Sequence, residues 1–453
     1  MESAKPGPRP YVLAVALAFA ARVWLIWRFP NNYALDGWQR WAGREHLLVQ
    51  DWLPGLQAVI WLVAHLGGGV RVTRVALAAV TSLGVGAGAA AAGAIGGRPA
   101  AWIFAALAAF GPTLVWTGVL YQEGLYASLL YTGLALALRG GLGLSAVRQR
   151  DRPARVLLAA DLVFGLLPLV RYEGWAVVFC YLAWRRDASS LRALWGEGVW
   201  ALVKICGLRG AYPSPVDYFE DWRHIASTFD PHTWLGCLVD LGDLLVRSGG
   251  LALLAVGLAS AGMCWRARGI PLLTVVLVGQ LLATLGWIAG LEGATQRMLV
   301  LPAGLAALIA SVGAAEVWMR LPRLRALISA LLVVWVGLGL WTAAETVDRE
   351  HARVRPEIMA LGRMQACKDC VWWVVPRTGL GAQGRDDGCE ALQGMTHMVE
   401  GLQFWCEPWH QAEPADAIAV DRAKTNGSVR WSSVDGQNGQ YVVQYDAATP
   451  SAD

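Results

Sequence analysis

The chain has 453 residues, of which 56% are hydrophobic and 16% charged, with a formal net charge of +4. Globular proteins carry about 25% charged residues, and the apolar residues here come in long runs with a mean hydropathy of +0.41. The composition excludes a single soluble domain and indicates a multispanning membrane protein. Lys and Arg fall in short clusters between apolar runs rather than in one basic patch, which argues against a nucleic-acid partner. The 24 Trp residues fit a protein with much of its surface at membrane–water interfaces.

Taken in chain order, the first apolar run, 11–27, follows "MESAKPGPRP". No small-residue cleavage site comes after it, only "RFPNNY", so it reads as a retained first helix rather than a signal peptide. Next comes "ALDGWQRWAGREHLLVQDWLPG", Ala34–Gly55, which sets Asp36, Glu45 and Asp51 among Trp38, Trp41 and Trp52. Read as a helix from Asp36, it puts Trp38, Trp41, Glu45 and Leu48 on one face, an amphipathic helix lying on the membrane surface. By spacing alone Asp36 is equally a plain N-cap, and Asp51 could cap the helix that follows.

Further apolar segments are expected at 53–68, 71–96, 100–118, 119–138, 156–170, 174–184, 194–210, 247–265, 270–290, 298–318 and 325–343. Several are shorter than the roughly 20 residues that span a bilayer. The pair 156–170 and 174–184 reads as a hairpin of short helices turning at "RYEGW". The run "GVGAGAAAAGAIGG" (84–97) reads as close helix packing through small residues. The expected fold class is an all-α polytopic membrane protein of about 11–13 transmembrane helices, with a small α/β domain at the C-terminus.

Orientation follows from basic clusters, which favour the cytoplasm. Arg148, Arg150, Arg152 and Arg155 are then inside, with Arg185 and Arg186, Arg266 and Arg268, and Arg320, Arg323 and Arg325. This places "RYEGW", the 211–246 loop, "EGATQR" and everything after 343 outside, together with 28–52 if the N-terminus is inside. One conflict remains: counting passes from 53 to 138 gives the wrong parity for a cytoplasmic 139–155. Either one segment there is re-entrant or the boundaries shift.

From 345 to 453 the chain is polar, and the expected division is 1–344 and 345–453. "VWWVV" (371–375) reads as a buried strand, and "VRWSSVDGQNGQYVVQYD" as two strands around a turn. Cys367 and Cys370 stand as C-x-x-C, but the second pair, Cys389 and Cys406, does not, which weakens a zinc-site reading. On an exported domain two disulfides are favoured over zinc. His224 and His232 lack ligand spacing. Asp217, Glu220 and Asp221 fit a solvated face.

The order of short motifs resembles the GT-C membrane glycosyltransferases, closest to the protein O-mannosyltransferase and 4-amino-arabinose transferase group. The residues that carry it are Asp36 after the first helix, Arg44-Glu45, and Asp51-Trp52-Leu53-Pro54. After them come Arg74 in "RVTRVALAAV", Pro112 before "YQEGLYASLL", "LLPLVRYEGW", and Arg297 in "TQRMLVLPAGLAAL". Such enzymes usually have a second acid beside the first, whereas Gly37 follows Asp36 here.

The resemblance implies transfer of a sugar from a polyprenyl-phosphate donor to an acceptor at the outer face of a membrane, with membrane lipid as the other partner. It places the protein in a bacterial inner membrane and implies no required cofactor. Asp36 is the expected general base, with Asp51 and Glu123 as further catalytic acids. Arg171 and Arg297 are the expected donor-phosphate ligands, because guanidinium suits phosphate. Glu45 and Glu173 would support them. Arg171 and Glu173 could instead pair and brace the hairpin. Asp36 with Glu123 is where a divalent ion could sit.

Asp36, Glu123, Arg171 and Arg297 are thus expected on one outward-facing cavity. A transporter is the competing reading, but the inverted repeats it calls for are not seen in the sequence. A non-catalytic scaffold would have no reason to place those four residues at one membrane face.

Overall fold

The computed structural model describes residues 9–28, 40–41, 43–47, 53–110, 114, 122–140, 154–205, 239, 270–288, 295–366, 370–375, 404–406, 429–435 and 440–446. Of 9–10, 203–205, 285–288, 295–299, 346–366 and the strands it describes the backbone alone. Two compact units can be told apart, one within 1–30 and 45–346, the other within 31–44 and 347–453.

The first unit is helical. Its elements are α1 Arg9–Arg28, α2 Pro54–His65, α3 Val70–Phe110, α4 Gln122–Arg139, α5 Ala154–Val170, α6 Glu173–Arg185, a 3-10 turn Ala188–Leu194, α7 Trp195–Ile205, α8 Ile270–Ile288 and α9 Thr295–Arg320. After the short 3-10 turn Pro322–Leu324, α10 runs Arg325–Ala366. Four stretches are long and apolar enough to cross a membrane among the described residues: Tyr11–Arg28, Val70–Phe110, Val300–Arg320 and Pro322–Glu345.

The 41-residue α3 is two helices folded back on each other. Gly97 has φ 75°, a region open to glycine, and Pro99 opens the second limb. Across the turn Gly88 faces Phe104 and Gly93 faces Ala101, so the limbs are antiparallel. Small residues set the spacing: Gly86 lies against Val15, Gly93 against Tyr11, and Gly84 against Ser128 of α4. Side chains at these positions would force α1, α3 and α4 apart. The expectation that 84–97 serves close packing holds.

These pairings bear on the parity conflict. Tyr11 meets Gly93 while Ala18 packs with Val85 and Ala109, so the first limb of α3 begins at the end of the bundle where α1 finishes. The α2 helix does not cross. Its 12 residues reach about 18 Å at 1.5 Å per residue, against a hydrocarbon core of about 30 Å. Gly67, with φ 78°, turns the chain directly into α3. The 53–68 segment is therefore corrected from a span to a short helix beside one bundle end, and α3 doubles back on itself at Gly97. Arg139 lies at the end where α1 begins, since α4 runs alongside the first limb of α3 from Gly84 at Ser128 towards Gly93 at Tyr11.

The expected surface helix through Leu48 does not form as one piece. Helical backbone is found at Arg40–Trp41, and Gly43–Glu45 is a turn. Gly43 breaks it, since glycine costs about 1 kcal/mol in a helix interior. The amide of Arg44 returns to the Trp41 carbonyl at 3.1 Å, and its guanidinium lies 5.6 Å from the Trp41 ring centre.

Helix α7 lies against α5 through glycine on glycine. A Cβ on Gly196 would overlap the Gly165 carbonyl oxygen, and Trp195 Nε1 donates to the Leu162 carbonyl at 3.0 Å. Two residues on, a Cβ on Gly198 would meet nothing within 4 Å. Gly196→Ala is expected to destabilise the protein by about 1–3 kcal/mol, since backbone cannot rotate away. Gly198→Ala is expected to gain about 0.5–1 kcal/mol through helix propensity. Melting curves of the two purified variants test this; equal melting temperatures would exclude the close α5–α7 approach.

In the second unit four strands, β1 Cys370–Val375, β2 Phe404–Cys406, β3 Val429–Asp435 and β4 Gln440–Asp446, form one sheet in the order β2-β1-β4-β3. β1 pairs parallel with β2 and antiparallel with β4, and β3–β4 is antiparallel with an irregularity at Ser433–Asp435. The two strands expected in 429–446 and the one at 371–375 are all present. The side chains of the four cysteines lie outside what the structure describes, so the disulfide reading does too.

Candidate active site

The α5–α6 hairpin builds the centre of the candidate site. Helix α5 ends as the Arg171 amide reaches the Leu167 carbonyl at 3.0 Å, and α6 begins at Glu173. Only Arg171 and Tyr172 separate the helices. Gly174 permits the turn, because a Cβ there would collide with the Leu167–Pro168 backbone. The expected turn at "RYEGW" is found.

The turn holds an ion cluster shut off from solvent. Arg171 is 2% exposed, Glu173 6% and Glu123 0%. Arg171 Nη1 donates to Glu123 Oε1 at 2.5 Å, Nη2 to Glu173 Oε1 at 2.6 Å, and Nε lies 3.0–3.1 Å from both Glu173 oxygens. Sequence distance does not explain this: Glu123 comes from the first turn of α4, 48 residues away. Glu173 sits in the first turn of α6, where the helix dipole favours an anion. One guanidinium meets two carboxylates, so the three side chains carry a formal charge of −1.

Neighbouring groups fix the elements around the cluster. Tyr126, one turn after Glu123, donates to Gln280 Oε1 at 2.8 Å, and Gln280 Nε2 donates to Thr284 at 3.1 Å. This ties α8 to α4. On the other side, buried Leu53 and Trp200 pack together with Leu169 and Tyr172. That contact brings Leu53, at the start of α2, beside the Arg171 turn.

The structure thus brings Glu123, Arg171 and Glu173 together. Glu45 is exposed in its turn. Arg297 falls in the first turn of α9, with only its backbone described. Asp36 and Asp51 lie outside the described residues. The pairing of Arg171 with Glu173 foreseen as a brace is real, and Glu123 joins it. No group of three or more His, Cys, Asp or Glu able to hold a metal occurs among the described residues.

Sequence reasoning passed over other buried charges. At the opposite end of the α5–α6 hairpin, Asp161 Oδ1 accepts from Tyr181 at 2.7 Å and from Arg185, and Asp161 lies 3.5 Å from Arg192. Arg185 also reaches Asp187 at 2.7 Å. Burial raises the Asp187 carboxyl, but hydrogen bonds from Ser189, Arg185 and the Ser190 amide outweigh it and hold the group below its ordinary value. Glu197, in the first turn of α7, is 7% exposed, and neither of its carboxylate oxygens has a hydrogen-bond partner among the described residues. An ionisable residue inside an apolar run was the available signal in each case.

No protein-family model matches the chain, and no curated protein does. Solved structures do match. ArnT from Cupriavidus metallidurans bound to undecaprenyl phosphate superposes with a TM-score of 0.58 at 13% identity, over 98% of this chain and all of that one. The same protein in the apo state gives 0.54 at 13% identity, over 96% and 97%. The Archaeoglobus fulgidus oligosaccharyltransferase, tethered to an acceptor peptide, gives 0.52 at 14% identity, over 89% of this chain and 60% of that one. The chain has the fold of the GT-C membrane glycosyltransferases, as its motif order leads one to expect.

Proposed function

We propose that this protein is a membrane glycosyltransferase that moves a sugar from a polyprenyl-phosphate carrier to an acceptor at the outer face of a bacterial inner membrane. The observation that carries the reading is the buried Glu123–Arg171–Glu173 cluster at one end of a fold shared with ArnT over nearly the whole chain. An ionisable cluster inside a membrane bundle is functional by default. The undecaprenyl phosphate bound to that ArnT structure suggests the carrier class.

In this reading Asp36 takes the proton as the acceptor oxygen attacks the anomeric carbon of the sugar. The bond from that carbon to the phosphate oxygen breaks, and its electron pair stays on the phosphate. Arg297, in the first turn of α9, meets the charge released there, with the helix N-terminus behind it. Arg171 is already engaged by two carboxylates, so its role shifts from phosphate ligand towards holding Glu123 and Glu173 in place. Asp51 and Glu45 serve as further acids. No cofactor is needed for these steps. Residues 1–344 form the membrane domain, and residues 345–453 form an exported one.

The test is transfer from radiolabelled undecaprenyl-phosphate sugars, hexose and aminopentose, in membranes containing the protein. Label is expected to move from carrier to an extractable acceptor, with undecaprenyl phosphate released. Transfer from neither donor, in membranes where the protein is folded, would defeat the reading.

A further inference from the structure

We propose that Glu197 is a proton-binding site that latches α7 against α5, docked while the carboxyl carries its proton and loosened when the proton leaves. Helix α7 buries Gly196, Glu197 and Trp200 and exposes Gly198, Val199, Ala201 and Leu202. Its one acid therefore lies on the face turned to the protein, one turn before Trp200. Neither carboxylate oxygen meets a hydrogen-bond donor among the described residues. The other buried acids described are all paired: Glu123 and Glu173 with Arg171, Asp161 with Arg185, and Glu316 with Arg320. An unpaired carboxylate taken out of water is costly, and such a group keeps its proton instead.

The surroundings close the site with backbone and apolar side chains. Helix α7 runs beside α5 in the same direction: Trp195 donates to the Leu162 carbonyl, Gly196 meets Gly165, and Trp200 packs with Leu169. No charged group on the elements packed against α7 pairs with Glu197 among the described residues. On α5, Asp161 is taken by Tyr181, Arg185 and Arg192, and Arg155 is exposed. On the 3-10 turn, Arg192 faces Asp161, and Asp187 before it is held by Arg185 and the Ser190 amide. Tyr172 packs beside Trp200, and His65 at the far end of α2 lies 2.9 Å from the Trp61 carbonyl. Helix α7 is not among the described stretches long enough to cross a membrane, and Glu197 stands in its first turn. Burial pushes the carboxyl up to about 7, against a weaker pull from its own backbone amide.

Once α7 is free in water the same carboxyl titrates at its ordinary value of 4.5. Between the two values docking takes up a proton from solvent onto a Glu197 oxygen, so docking weakens as pH rises through this window. Below it both states hold the proton, and above it both have lost it. Release carries Trp200 away from Leu53, Leu169 and Tyr172, the contact beside the Arg171 turn. The latch thus joins pH to that turn, and it does not depend on the carrier reading above.

The full-length wild type and Glu197→Gln, which keeps the shape of the protonated acid, are melted in one detergent across a pH series, and hydrogen exchange is followed in the α7 segment. The two melting temperatures are expected to coincide near pH 4.5, with the variant rising above wild type by a margin that grows to about pH 7 and then holds. Titrations common to both proteins cancel in this difference. At alkaline pH the α7 amides of wild type are expected to exchange about tenfold faster or more than those of the variant, since one pKa unit is tenfold in an equilibrium. In acid the two should exchange alike.

A difference in melting temperature that stays constant with pH overturns the site. A variant that melts below wild type at alkaline pH overturns it as well, because the carboxylate then has a cationic partner. A margin that grows as expected while α7 exchange stays the same in both proteins overturns the latch. Should Glu197→Gln fail to fold, Glu197→Met, which also has nothing to titrate, decides by the same two measurements.

Discussion

Asp36→Asn is expected to abolish measurable sugar transfer while the protein still inserts, folds and binds the lipid-linked donor. The substitution separates two readings of one carboxylate. As a helix cap Asp36 is replaceable, because Asn caps about as well as Asp, and even complete loss of a cap costs only about 1 kcal/mol. As a general base it is not, because the amide keeps the shape and accepts no proton. Loss of a general base costs about 10²–10⁴-fold in rate. Transfer from a radiolabelled carrier sugar in membranes, beside a melting curve of the purified protein, reads both quantities. Near-normal transfer would reduce Asp36 to a cap and move the base to Asp51 or Glu123.

What could be read ahead of the structure was local. "RYEGW" carries a turn, a helix start and an acid within five residues, so the α5–α6 hairpin was visible. The acid one residue into α4 and the β3–β4 pair were visible for the same reason. The misread segment was 53–68. Hydropathy is high there, and an apolar run does not tell a span from a short helix. Length and turn residues decide it, and Gly67–Gly69 stop α2. The division between 71–96 and 100–118 was legible, because "GGRP" marks the reversal at Gly97.

The charge pairs were legible only in part. Glu123 and Arg171, 48 residues apart, were expected at one site through the motif resemblance, and they do pair. Arg185 and Asp161, 24 apart, were missed, because only the antiparallel packing of α5 and α6 makes them neighbours. Arg22 lay in plain view inside the first apolar run, but only the packing reveals that it is buried, with no acid paired to it among the described residues.

The cluster itself yields the second large effect. Arg171→Met is expected to destabilise the protein by about 3–5 kcal/mol, the scale of breaking a buried ion pair by removing one partner. The methionine fills much of the same volume, so little of the loss would come from a cavity. It comes from Glu123 and Glu173, which are left buried and lose the cation that both now share. If charge is the cause, removing the charges should reverse it. The triple variant Arg171→Met, Glu123→Gln, Glu173→Gln should recover much of the lost stability, because a buried ionic cluster replaced as a unit is often neutral or better. Thermal melting of the single and triple variants in one detergent measures both terms. If instead the guanidinium served only as a spacer in the α5–α6 turn, Arg171→Met would melt close to wild type and the triple variant would gain nothing over it. Activity separates a further point. A triple variant that folds but transfers no sugar would show that the cluster is kept for its chemistry and that its stability follows from balancing the charges that chemistry requires.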